Sequence, residues 1–184
     1  MQHLGMIGGL GPQTTAEIYL DLVQRVKKIH PDTYPEITIH SIPLPYAVEE
    51  AAIVKGKEVE KMLPYLLEGA KTLQQSGATF GVLPCNTLHL FIQEIRQSTS
   101  LPFLSILDET AFFLKKQQIK TVGILGTQTT AHTHLYDEVL SQQGIEALYP
   151  SFEEQQTLNQ IILHLLHGET DLSREKSFTD ICDR

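Results

Sequence analysis

Phe80-Gly81-Val82-Leu83-Pro84-Cys85-Asn86-Thr87-Leu88-His89 reads as a short apolar strand that stops at a proline and turns into a helix at 88–96. A strand handed to a helix in this way is half of a crossover unit, and crossovers join parallel strands. The same alternation recurs on both sides of it. Apolar, β-branched runs predict strands at 4–7, 36–42, 79–83, 103–106, 121–125 and 146–149, with helical spacing in the gaps. The clearest helix carries Val59, Met62, Leu63, Leu66, Leu67, Ala70 and Leu73 as one apolar stripe, and Pro64 within it predicts a late start or a kink. The chain therefore reads as an α/β protein with mainly parallel sheets flanked by helices.

An internal repeat organises the whole. Gly8-Gly9-Leu10-Gly11-Pro12-Gln13-Thr14-Thr15-Ala16 lines up with Gly123-Ile124-Leu125-Gly126-Thr127-Gln128-Thr129-Thr130-Ala131 at a constant offset of 115. In each copy a buried strand is expected to run into a glycine turn and then a threonine-rich helix start, so the same device is built twice.

The chain has 184 residues, enough for one domain or two small lobes, and a chain of this size buries about 70% of its unfolded surface without needing disulfides or a structural metal. Fourteen Lys and Arg against 22 Asp and Glu leave a net charge of −8, which disfavours nucleic acid and anionic membrane surfaces as partners. The first residues, Met1-Gln2-His3-Leu4, lack a basic run followed by an apolar stretch, and no 18-residue apolar segment occurs. The expectation is a cytoplasmic protein whose two cysteines, Cys85 and Cys182, stay reduced.

Cys85 falls where a strand hands over to a helix start. There, unpaired N–H groups and the helix dipole favour a thiolate, and the carboxyl end of a parallel strand is where α/β sheets bind ligands. Asn86 or Thr87 is the expected N-cap. A reactive thiol and a buried inert one both fit the residues alone. His89, four residues on, either relays protons to the thiol or packs as a capping histidine. The two glycine loops let backbone approach a ligand and put hydroxyls at helix starts, an arrangement suited to a carboxylate. Neither loop has a Gly-Lys-Ser/Thr or a dinucleotide fingerprint. His132 and His134 point to different helix faces, and no Cys or carboxylate motif completes a site with His164 and His167, so no metal is expected. Cys182 reads as a core thiol on the apolar face of a final helix.

With these motifs in hand the chain resembles the cofactor-independent aspartate/glutamate racemase superfamily, in its aspartate racemase branch. The resemblance is carried by Gly5-Met6-Ile7-Gly8-Gly9-Leu10-Gly11-Pro12 with Thr14-Thr15-Ala16, by Pro84-Cys85-Asn86-Thr87-Leu88-His89, and by Gly123-Ile124-Leu125-Gly126-Thr127 with Thr130 and Tyr136. It implies two pseudo-symmetric α/β lobes, here 1–107 carrying Cys85 and 108–184 as an incomplete second lobe. It also implies a homodimer acting on a small amino-acid or carboxylate substrate with no cofactor. In such a mechanism one cysteine removes the α-proton and a second protonates the opposite face. Cys85 would be one base, and Asn86, Thr87, Thr127, Thr130 and Leu10 would contact substrate.

Several features depart from that pattern. The symmetry mate of Cys85 under the repeat offset is position 200, beyond residue 184, and Cys182 lacks the flanking Gly and Thr-Glu of the family's second motif. The expectation is a chain truncated at its C-terminus that racemises poorly. Where relatives carry Pro-x-Arg-Thr, this chain has Pro43-Leu44-Pro45-Tyr46-Ala47, and near Gly168 a family lysine is replaced by Leu166-His167. Two further readings are carried: a one-cysteine decarboxylase or isomerase of the superfamily, and an inactive carboxylate-binding protein.

Overall fold

His3–Gly8 forms strand β1, and all six of its residues are buried. It lies in the middle of a three-stranded parallel sheet of order β2-β1-β3, with β2 at Glu36–Ser41 and β3 at Phe80–Val82. A parallel strand buried on both faces reads as a continuous apolar run, which is why Leu4-Gly5-Met6-Ile7 has no alternation. A computed structural model describes residues 2–49, 51–52, 56–166 and 173–183. The chain divides into two compact units, Met1–Pro45 with Lys61–Ile106, and Tyr46–Glu60 with Leu107–Arg184. Residues 46–60, which a single cut at 107 leaves in the first lobe, group with the second unit.

In the first unit β1 leads through a glycine turn to α1 (Pro12–Ile29), then β2. The short helix α2 (Tyr46–Glu49) leaves for the second unit and the chain returns through a 3-10 turn at Val59–Met62 to α3 (Leu63–Gln75). Pro64 sits in the first turn of α3, where its missing N–H costs nothing, so the helix starts late as its sequence predicts. Leu66, Gly69, Ala70 and Leu73 are the buried face of α3, and each fully buried leucine contributes about 1.5–3 kcal/mol. Gly69 brings that face close to the sheet: a Cβ there would meet Ile7 Cγ2 at 3.4 Å. After β3 come a second 3-10 turn (Thr87–Phe91) and α4 (Ile92–Ser98); α5 (Ile106–Lys116) starts at the last residue of this unit, and its remaining residues belong to the second.

Two expectations fail in this unit. The helix anticipated at 88–96 opens as the 3-10 turn and becomes α-helical only at Ile92. The strand anticipated at 103–106 shrinks to one parallel bridge between Gly81 and Phe103, because Ile106 already begins α5. Asp108 and Glu109 in the first turn of α5, with Lys115 and Lys116 in its last, complement the helix dipole, and this pattern outweighs the short apolar run.

The second unit has a two-stranded parallel sheet, β4 (Thr121–Gly123) and β5 (Glu146–Leu148). Between them lie α6 (Gln128–His132) and α7 (Asp137–Ser141); α8 (Phe152–Leu166) and α9 (Ser173–Cys182) follow. Its core gathers Leu107, Ala111, Leu114, Ile124, Tyr136, Leu140 and Ile145. The repeat is imperfect in three dimensions. β4 exposes Thr121 and Gly123, whereas β1 is wholly buried, and α6 has five residues where α1 has 18. His134 ends the α6 segment in the left-handed region, at φ 50°. Cys182, expected in a core, is exposed.

Candidate active site

Two hydrogen bonds pin the backbone of Cys85. Its N–H donates to Leu83 O at 2.8 Å, and its carbonyl accepts from His89 Nδ1 at 2.8 Å. The other ring nitrogen of His89, Nε2, accepts the N–H of Ile106, the first residue of α5, at 3.0 Å. A carbonyl on one nitrogen and an N–H on the other are both satisfied by the neutral ring with its proton on Nδ1. His89 is 1% exposed, while Cys85 and Asn86 are half-buried. Of the two readings of His89, the geometry supports the backbone-capping one.

Asn86 takes helical angles, φ −60° and ψ −58°, and makes no side-chain cap bond. A capping residue needs extended angles to turn its side chain back onto the helix, so Asn86, one of the two expected caps, does not cap this turn. Thr87 is buried as the first residue of the 3-10 turn.

The loop after β1 lies at the same edge of the sheet. β1 and β3 are adjacent and parallel, paired through Met6 and Val82, and two residues further along each chain come Gly8 and Pro84. Gly9, at φ +90°, backs onto the end of β2, where a Cβ would lie 2.9 Å from Ser41 Oγ and 3.0 Å from Ile42 N. Thr15 ties the loop: its hydroxyl accepts Gly9 N–H at 3.1 Å and donates to Gly11 O at 3.1 Å. Gly8 makes room for this, since a Cβ there would sit 2.6 Å from Thr15 Cγ2. Leu10 is buried, so what this loop offers outward is backbone. The first unit thus brings together the Cys85 turn and the Gly8–Gly11 loop at the carboxyl ends of its strands.

Thr127 and Thr130 belong to the second unit, beyond the end of β4. Thr127 caps α6 with extended angles, its Oγ1 accepting Thr130 N–H at 3.3 Å, and the two hydroxyls are 3.2 Å apart. Thr129 Oγ1 donates to Ala52 O at 3.3 Å. Gln155, a residue the sequence reading passed over, supports this loop: its Nε2 donates to Gly126 O at 3.0 Å and to Asn159 Oδ1 at 2.8 Å. Asn159 in turn donates to Gln128 Oε1 at 3.2 Å. Gln155 Oε1 is buried without a hydrogen-bond partner among the described residues. The available signal was a glutamine placed three residues before buried Leu158, on the inward stripe of α8.

Other features lie elsewhere. A hollow of about 370 Å³ lined by Leu4, Leu22, Val26, Ile37 and Phe80 opens at the amino end of the first sheet, away from the Cys85 turn. Tyr149 donates to Asp137 at 2.6 Å, and His134 contacts the same carboxylate at 3.0 Å while packing edge-on against the Tyr149 ring. Among the described residues, no helix is long and apolar enough to cross a membrane.

Comparison with known proteins adds a family. Residues 7–184 match the Asp/Glu/hydantoin racemase family. The chain is 30% identical to the broad specificity amino-acid racemase RacX of Bacillus subtilis, over 86% of this chain and 69% of that one. In structure it is similar to a candidate Asp/Glu racemase from Yersinia pestis, with TM-score 0.84 and 28% identity, covering 98% of this chain and 79% of that one. It is also similar to an aspartate racemase homologue from Pyrococcus horikoshii, with TM-score 0.71 and 29% identity, covering 92% and 74% of the two chains.

Proposed function

The chain belongs to the Asp/Glu/hydantoin racemase family, and from that premise we propose that Cys85 acts as a cofactor-independent base on the α-carbon of an amino acid, aspartate or a related acidic one. The observation that carries this reading is the fixed, half-buried turn holding Cys85 beside a glycine loop at the carboxyl ends of parallel strands. In the proposed step the Cys85 thiolate takes the α-proton and becomes a thiol, and the electron pair of the C–H bond moves into the substrate carboxylate as an enediolate. Return of a proton to the opposite face gives the other enantiomer. Donors held in place before the reaction stabilise the developing charge without reorganisation. We assign that role to the loop at Leu10 and to Asn86 and Thr87, and we read Thr127 and Thr130 as the same kind of anion-holding loop in the second unit.

Cys182 is exposed at the end of α9, so it is not assigned as the second acid. With Cys85 as the single assigned thiol, exchange of the α-proton is expected to outrun inversion. The same observation favours a second reading, in which Cys85 protonates the enolate left when a malonate-type acid loses carbon dioxide. The working form is read as a cytoplasmic homodimer on family resemblance, to be checked by sedimentation.

The test is proton NMR of L-aspartate in deuterated water with the chain and with Cys85→Ala, following α-proton loss and the D-isomer together. A panel of neutral amino acids belongs in the same experiment, because 43–47 offers no arginine to select a side-chain carboxylate. Loss of the α-proton that vanishes in Cys85→Ala supports the reading. No exchange with any amino acid, combined with carbon dioxide release from malonates, replaces it with the second. Ligand-induced stabilisation that persists in Cys85→Ala without exchange reduces the protein to a carboxylate binder.

A further inference from the structure

We propose that His89 is the positioning residue for Cys85, acting as a neutral two-sided clamp between the thiol-bearing turn and the first residue of α5. The inference rests on the reading of Cys85 as the base. The Cys85 N–H is held by Leu83 O and the Cys85 carbonyl by His89 Nδ1, each at 2.8 Å. Fixing the peptide planes on both sides of one α-carbon fixes φ and ψ there, and with them the direction of the Cα–Cβ bond. The sulfur keeps a single torsion with three staggered positions.

The ring is itself immobilised. Ile106 N–H points at Nε2 from 3.0 Å, across 17 residues of sequence, and the side chain is 1% exposed. This second bond also selects the tautomer. Since an amide N–H can only donate, Nε2 must accept, so the ring proton resides on Nδ1 and is aimed at Cys85 O. A protonated ring would set a donor against the Ile106 N–H. His89 therefore does not carry the reaction's proton; it orients the group that does. Ile106 is the last residue of the first unit, so the clamp ties the Cys85 turn to the point where the chain leaves that unit for the second time.

The two bonds are separable by substitution. In a Cys182→Ser background, which leaves Cys85 as the single thiol, His89→Asn keeps a donor at the Nδ1 position, whereas His89→Gln reaches the Nε2 position and keeps an acceptor for Ile106. The expected result is that His89→Asn retains the parent rate of Cys85 alkylation by iodoacetamide within about twofold. His89→Gln, at matched folding by circular dichroism, changes it by about tenfold or more. In α-proton exchange His89→Gln should lower kcat by a similar factor with KM within about twofold, the signature of a group that orients the base and not the substrate. Nitrogen NMR of the parent ring should show a proton on Nδ1 and none on Nε2 at neutral pH.

Equal behaviour of the Asn and Gln variants in alkylation, or a ring proton on Nε2, would overturn the clamp. Should no variant or parent exchange an α-proton while alkylation still separates Asn from Gln, the clamp stands and the racemase reading fails.

Discussion

The ring of Phe103 occupies the space a side chain on Gly81 would need: a Cβ at Gly81 would lie 2.5 Å from Cε1 and 2.6 Å from Cζ. Phe103 is 3% exposed and bridges to Gly81, so neither partner has room to retreat. Gly81→Ala should destabilise the protein by about 1–3 kcal/mol, the usual cost of overpacking. Gly123→Ala, where no atom lies within 4 Å, is the comparison and should change stability little. Urea titration of both variants checks the difference; equal midpoints would refute it.

Thr127 caps α6 through Thr130 N–H. Thr127→Ala should cost about 1 kcal/mol of stability and Thr127→Ser much less, since serine keeps the accepting oxygen. If the loop also holds substrate carboxylate, KM rises in the alanine variant and recovers in the serine one. Thermal melts and initial rates on the same preparations separate the two effects.

Gln155 donates to Gly126 O and leaves Oε1 buried and unpaired among the described residues. Gln155→Glu removes the donor and buries a charge against a carbonyl, so its loss of stability should exceed that of Gln155→Leu, which discards the orphan acceptor together with the donor. A gap of about 1–3 kcal/mol is expected, the penalty for burying an unsatisfied group. A leucine variant as damaged as the glutamate one would show that Oε1 is satisfied in solution.

Tyr149 has its hydroxyl pKa raised, first by burial and then by its hydrogen bond to Asp137 and that carboxylate's charge. The pKa of Tyr136 is also raised, by burial, with a hydrogen bond to Thr110 opposing it. A phenol whose folded value lies above its unfolded value of about 10 stabilises the fold fully below that pH and loses the contribution as pH rises toward the folded value. Stability should therefore fall above about pH 10, and Tyr149→Phe should flatten part of that decline. Denaturant midpoints measured across the alkaline range test the slope.

What could be read from the residues were the features that act over a turn or two. Leu4-Gly5-Met6-Ile7 showed a buried parallel strand because burial on both faces removes alternation. Pro64 announced the late start of α3 because proline fits only the first turn. The run Phe103-Leu104-Ser105-Ile106 misled because four apolar-rich residues suit a strand or a helix start equally, and the acidic pair after it decided for the helix. Cys182 misled for a related reason: helical spacing marks a face but not whether anything covers it, and this thiol is exposed.

By itself the sequence determined the α/β alternation, the paired glycine loops and the placement of Cys85 just past a strand, because local propensity and turn chemistry act between neighbours. Tertiary structure alone decided the partners. His89 could have faced the thiol or the backbone, and its bond to Ile106, 17 residues away, chose the backbone. Gln155 was an anonymous helical residue until folding brought it to Gly126, 29 positions back. Such bonds depend on where the chain returns after a crossover, which follows from how helices pack on a sheet and not from the residues flanking either end.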